Sequence, residues 1–287
     1  MMALRKVLSL ISRTFDAWMD DEAPRLSASL AFYTILSLAP LVVLVPQIVD
    51  SVFGDTGSQG QIVDQAASLI GPEGADAIRQ MMESARTPGS RGFASIMSLI
   101  TLLFGASGVF VELRSAMNKI WDVTPKQHDG LVGLVKERFF SFTLVLAAGF
   151  LLLISLIVSA VLSALSTYIA SVVPMGNVVV GAVDFAVSFT GISILFALIF
   201  KFLPETDLRW RDVRLGAVAT AFLFTAGKLL IGAYLGNAGV GEDYGNSGSM
   251  IVVLVWVYYS SMIFLFGAEL TRVIARPARA RSASINR

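Results

Sequence analysis

Read in windows of about 20 residues, the length of helix that crosses about 30 Å of hydrocarbon, the chain divides into six apolar stretches with polar connections between them. They cover 28 to 53, 92 to 118, 139 to 172, 178 to 201, 213 to 236 and 248 to 272. Each predicts a transmembrane helix, the third long enough to be tilted or to project from the bilayer. Two further segments are apolar on one side only. Leu4, Leu8, Ile11, Phe15 and Trp18 recur at helical spacing with basic residues elsewhere, which predicts an amphipathic helix over 1–24 lying on the inner membrane surface. A helix packed on loops fits the same spacing. Ile62, Ala66 and Leu69, then Ile78, Met81, Met82 and Ala85, flank "GPEG" at 71 to 74. Gly and Pro at such a break favour a turn, so a helical hairpin is expected outside the membrane over about 55–91, as a structural cap or a lid.

The expected fold is therefore all-α and polytopic, with a six-helix transmembrane domain over 25–275 and a basic tail over 276–287. Composition agrees: 55% of the 287 residues are hydrophobic and 15% charged, and mean hydropathy is +0.72, far from a soluble domain. A net charge of +1 gives no basic excess of the kind nucleic-acid binding needs, so no nucleic-acid partner is expected. With no cysteine and a single histidine, His128, disulfides, thiolate metal sites and cysteine nucleophiles are excluded, and no cofactor is expected. No short basic leader with a small-residue cleavage site precedes the first span, and the N-terminus is expected to be retained.

Charge position sets orientation, because cytoplasmic connections keep Lys and Arg. Arg5, Lys6, Arg13 and Arg25 precede the first span. Lys119, Lys126, Lys136 and Arg138 surround the second connection, Lys201, Arg209, Arg211 and Arg214 the fourth, and arginines from Arg272 onward follow the sixth span. The third and fifth connections have none, and in the first Arg79, Arg86 and Arg91 are outnumbered by acidic residues. Both termini are predicted to be cytoplasmic.

Ionisable residues inside spans usually face the bundle or a watery cavity. Lys228 lies in the otherwise uncharged run "FLFTAGKLLIGAYLG", roughly 12 Å from the outer end of its span, and Asp184 lies roughly 9 Å deep from the same side. The two are predicted to meet. Glu112, Arg114 and Glu269, near the inner ends of spans two and six, form an expected inner ionic layer with Arg114–Glu269 as the preferred pair. Glu112 and Arg114 stand about 200° apart on a helix, so each needs its own partner. A helix-to-helix clamp and a role in gating or substrate contact both fit this layer. Pro40 and Pro46 free backbone carbonyls in span one, which is tolerated where neighbours or water satisfy them. That span is read as lining a cavity, with Tyr33 and Ser37 as its polar groups. "GASG" at 105 to 108 and the Gly232–Gly236 spacing allow close helix approach, and homo-oligomerisation stays open.

"DDEAPRLSASLAFYTILSLAPL" (20 to 41), "FGASGVFVELRSAMNKIWDV" (104 to 123), "RWRDVRLGA" (209 to 217) and "GSMIVVLVWVYYSSMIFLFGAEL" (248 to 270) resemble the YihY/BrkB family of bacterial inner-membrane proteins. The resemblance runs in order over nearly the whole chain. It departs at Leu215, where the family frequently has proline, and this bears on the start of span five. It implies a six-helix fold in the cytoplasmic membrane and transport of lipid-like or other envelope substrates.

Members of the family have also been labelled ribonuclease BN. A metal-dependent nuclease needs clustered carboxylates or histidines to hold cations and activate water, whereas His128 stands alone. Asp20, Asp21 and Glu22 adjoin at the start of span one, where they suit a helix start beside Arg25. Neither a serine nucleophile elbow nor a phosphate-binding loop is present. An enzyme is not expected. Two classes remain: a transporter or translocator with membrane lipids as partners, whose substrate or gating residues are Lys228, Asp184, Arg114, Glu112, Glu269, Tyr33, Ser37 and Pro40, or a structural scaffold of the envelope.

Overall fold

The computed structural model describes residues 2–53, 72–84, 93–124, 176–238 and 248–285, with Gly60, Val63, Asp64 and Ala67. Among the described residues there are helices and no strand. In chain order they are α1 (Met2–Asp20), α2 (Ala23–Phe53), α3 (Pro72–Ser84), α4 (Phe93–Ile120), α5 (Gly176–Phe202), α6 (Trp210–Ala238) and α7 (Gly248–Ile285). Three stretches among the described residues are long and apolar enough to cross a membrane: Gly181–Phe202, Trp210–Tyr234 and Gly248–Ala275. The predicted span over 139–172 lies outside the described residues, as does His128.

Local chemistry accounts for several boundaries. Pro72 opens α3, where its missing N–H is one the helix could not have used; this is the "GPEG" break, and the bounds of the arm preceding it lie outside the described residues. The helix α6 begins at Trp210 because Asp212 accepts the Arg209 N–H at 3.1 Å, a side chain reaching back to close the first turn. It runs through Leu215 without interruption, so the absent proline changes nothing there. The helix α4 ends in a reciprocal pair of backbone bonds, Asp122 N–H to the Lys119 carbonyl and Val123 N–H to the Asn118 carbonyl. This is the left-handed helix stop that glycine usually provides, and here Asp122 takes the positive φ of 53°. Glu22, with φ of 56°, turns the chain from α1 into α2, and its carboxylate pairs with Arg25.

The chain forms two compact units. One comprises residues 1–14, 117–223 and 267–287, the other residues 15–116 and 224–266. Within the second unit, α3 packs its apolar side on α2 and α7. Ala77 and Met81 meet Ile35, Leu38, Val252, Val253 and Val257, and Ala75, Ile78 and Met82 group with Val63, Ala67 and Leu38. Leu38 is the midpoint of the 31-residue α2. The hairpin arm is therefore seated beside the middle of a long apolar helix. Also in this unit, Trp18 of α1 stands edge-on to Phe266 of α7 at 6.4 Å, while Phe15 and Met19 are exposed; Leu8 and Ile11, in the first unit, are exposed too. The predicted stripe is thus divided, with Trp18 docked and Leu8, Ile11 and Phe15 open.

Within the first unit, α6 and α7 approach closely through glycine. Thr271 lies on Gly216 and Thr220 lies on Gly267. Each threonine hydroxyl donates at 2.7 Å to the carbonyl of the glycine four residues earlier on its own helix, Thr220 to Gly216 and Thr271 to Gly267. Both hydroxyls are thereby bonded locally, and each threonine sets its Oγ1 and Cβ against the opposite glycine.

Candidate functional site

The most buried charge among the described residues is Glu269, whose side chain is 0% exposed. It sits on α7 in the first unit, and Arg272, one turn along the same helix, places Nη2 2.8 Å from Oε2. The other guanidinium nitrogen of Arg272 lies 3.6 Å from Asp122, which is 62% exposed. A buried carboxylate costs several kcal/mol to desolvate unless a paired cation offsets it, and Arg272 is that cation. The left-handed turn at the end of α4 sets Asp122 at the outer edge of the same cluster.

Beside this cluster Asn118, buried in the last turn of α4, clasps the α5–α6 connection. Its amide oxygen accepts the Glu205 backbone N–H at 2.9 Å, and its amide nitrogen donates to the Glu205 carboxylate at 3.3 Å. Lys201 at the end of α5 donates to the Leu208 carbonyl at 2.7 Å. The connection is held at both ends by side-chain bonds to its backbone.

The second unit holds most of the other residues singled out from the sequence. Tyr33 and Ser37 on α2 face Gly108 and Gly105 of α4. The ring of Tyr33 covers Gly108, and a Cβ on Gly105 would stand 2.9 Å from Ser37 Cα and Cβ. The hydroxyl of Ser37 turns back to the Thr34 carbonyl at 2.8 Å. Both residues thus seat α2 against the "GASG" face of α4. Pro40 is buried one turn on, and α2 continues through it. Glu112 and Arg114 are half-buried on α4. Lys228 is half-buried on α6 between buried Gly227 and Ile231, with the Gly227 face against Tyr259 of α7. Asp184 is on α5, and its side chain lies outside the described residues. The predicted Lys228–Asp184 and Arg114–Glu269 pairs each join residues of different units and remain sequence expectations.

Arg272, Asp122, Asn118 and the two Gly/Thr pairs were not singled out from the sequence. Glu269 and Arg272 have the i,i+3 spacing of a helical ion pair, and "GAVAT" and "GAELT" share a Gly-x-x-x-Thr spacing. Those were the available signals.

Compared with known proteins, the profile of the virulence factor BrkB family matches residues 14–286. The chain belongs to that family. The BrkB-family relatives include a UPF0761 membrane protein of Pseudomonas aeruginosa strain LESB58, 26% identical over 263 residues, with 88% of this chain and 59% of the relative aligned. A UPF0761 membrane protein of Neisseria meningitidis serogroup B is 28% identical over 267 residues, covering 91% and 61%. The chain spans about three fifths of the length of these relatives. No solved structure matches it significantly. With its apolar helices, this BrkB-family chain is a membrane protein.

Proposed function

We propose that this BrkB-family protein is a non-catalytic transporter or translocator of a lipid-like, anionic amphipathic envelope substrate. It has six spans in the bacterial inner membrane and both termini in the cytoplasm. The observation that carries this reading is the seat of α3. One side of α3 packs at Leu38, midway along α2, while Asp76, Arg79, Gln80 and Glu83 on its other side are exposed, with Arg79 bonded to Asp76 at 3.0 Å. Under the proposed topology α2 spans the bilayer, and at the level of its middle such a face cannot meet hydrocarbon, where each charge costs at least about 2.5–3.5 kcal/mol. It needs water beside it. A water-lined hollow next to α2 serves passage and has no use in a scaffold. Lys228, half-buried in the apolar stretch Trp210–Tyr234, supplies a cation suited to a lipid phosphate, with Asp184 as its resting partner.

Two measurements test this. In reconstituted protein, single cysteines replacing Arg79 or Glu83 are expected to react with a membrane-impermeant maleimide, and ones replacing Ala77 or Met82 to stay protected. In vesicles, wild-type protein is expected to move a fluorescent phosphatidylglycerol analogue between leaflets, and the folded double variant Lys228→Met with Asp184→Leu to lose that flux. A folded double variant with full flux and unchanged co-purified lipids means that Lys228 is a structural charge. No flux from wild type, together with unreactive α3 cysteines, means a scaffold.

A further inference from the structure

The corner between α5 and α6 gathers groups that the transport reading leaves unused. The ammonium of Lys201, held by the Leu208 carbonyl, lies 5.2 Å from the centre of the Trp210 ring and 5.5 Å from that of Phe202. The two rings meet edge to face at 6.1 Å. Together with the Asp212 closure of the first turn of α6, these contacts fix the position of Trp210, which is 48% exposed. From that point one side of α6 stays open. Arg211 and Arg214 are exposed there, followed by Leu215, Val218 and Phe222, whereas Val213, Ala217 and Ala221 are buried on the opposite side. Two arginines therefore head an exposed apolar ridge, beside Trp210, a residue type enriched at membrane interfaces.

The first turn of α6 carries one carboxylate, Asp212, committed to the Arg209 N–H, against two exposed arginines. The first turns of a helix carry partial positive charge, and cations there are unfavourable. An anion lying between the two guanidinium groups removes that conflict, and arginine grips a phosphate through paired hydrogen bonds.

We propose that this corner binds an anionic phospholipid. Its phosphate lies between Arg211 and Arg214, its glycerol level at Trp210 and Phe202, and its chains along Leu215, Val218 and Phe222. The inference rests on α6 crossing the bilayer and is independent of the role of Lys228. Under the predicted topology the lipid belongs to the cytoplasmic leaflet.

Native mass spectrometry of the full chain, extracted with equal phosphatidylglycerol and phosphatidylethanolamine, tests it. Wild type is expected to retain phosphatidylglycerol preferentially, and Arg211→Gln with Arg214→Gln to reduce that preference by at least about tenfold. Arg5→Gln with Arg13→Gln, the same change in net charge elsewhere, is expected to keep it. So is Lys228→Met with Asp184→Leu, which separates this site from the transport site. Retained preference in the Arg211/Arg214 variant, or equal loss in either control, overturns the proposal. Should the Arg211/Arg214 variant not fold, a photoreactive phosphatidylglycerol on wild type is expected to label residues 201–222, and labelling confined to other segments overturns it equally.

Discussion

Thr271 of α7 lies so close to Gly216 of α6 that a Cβ on the glycine would stand 2.7 Å from the threonine Cβ and 3.0 Å from its Cα. Thr220 repeats the arrangement on Gly267, again with its Cβ 2.7 Å from where the glycine's would be. Two helices of the first unit are thus locked by the same four-residue spacing read in both directions. In a bilayer, where lipid tails are as apolar as leucine, such close backbone approach is a main source of helix association.

Alanine at Gly216 or Gly267 is therefore expected to lower stability by about 1–3 kcal/mol, the usual cost of overpacking. At Gly227 the first atom met is the tip of Ile263, a flexible chain end, so Gly227→Ala is expected to cost less. Gly191, with nothing within 4 Å, is expected to tolerate alanine or gain by up to about 1 kcal/mol through helix propensity. Thermal unfolding in detergent of the four single variants checks this order. Equal losses at all four positions would mean that the packing is looser than the geometry.

Removing Arg272 takes away a cation that lies 2.8 Å from a carboxylate with no exposure to water. Arg272→Met is expected to destabilise by about 3–5 kcal/mol, and Glu269→Leu combined with Arg272→Met to recover most of that loss, since replacing a whole buried pair with apolar groups is often neutral. Arg114→Met combined with Glu269→Leu forms a second cycle. A coupling energy above about 0.5 kcal/mol establishes the predicted Arg114–Glu269 contact as well, and additivity dismisses it.

Asp122 holds a left-handed backbone conformation that costs a non-glycine residue about 1–2 kcal/mol, while its ion pair with Arg272 is long and mostly in water and is worth at most about 1 kcal/mol. The backbone effect should prevail. Asp122→Gly is expected to leave thermal stability unchanged or slightly raised, and a clear fall in melting temperature would show that the carboxylate matters more than its exposure implies.

Topology is testable without background, because the chain has no cysteine. Single cysteines at positions 58 and 241 are expected to react with an impermeant thiol reagent in intact cells, and ones at 126, 207 and 283 only after permeabilisation. The reverse pattern inverts the proposed orientation and moves the lipid corner to the other leaflet.

Hydropathy alone located the helices. The predicted 92–118, 178–201 and 213–236 became Phe93–Ile120, Gly176–Phe202 and Trp210–Ala238, because length and apolarity of a spanning segment are properties of a single line of residues. Family membership was also legible, in motifs spread over the chain in order. What the sequence left open is which residue meets which across helices. It nominated "GASG" for close packing, where Ser37 and Tyr33 of α2 do lie on Gly105 and Gly108, but it did not point to the threonine contacts on Gly216 and Gly267. It did not point to Arg272, which stands one turn along α7 with its guanidinium 2.8 Å from the Glu269 carboxylate. It rested the hairpin on the bundle without saying where, and α3 packs beside Leu38 of α2 and Val253 of α7. Each of these depends on the rotation and axial register of one helix against another. Those quantities come from side chains interlocking in three dimensions, and periodicity along one helix carries no information about them.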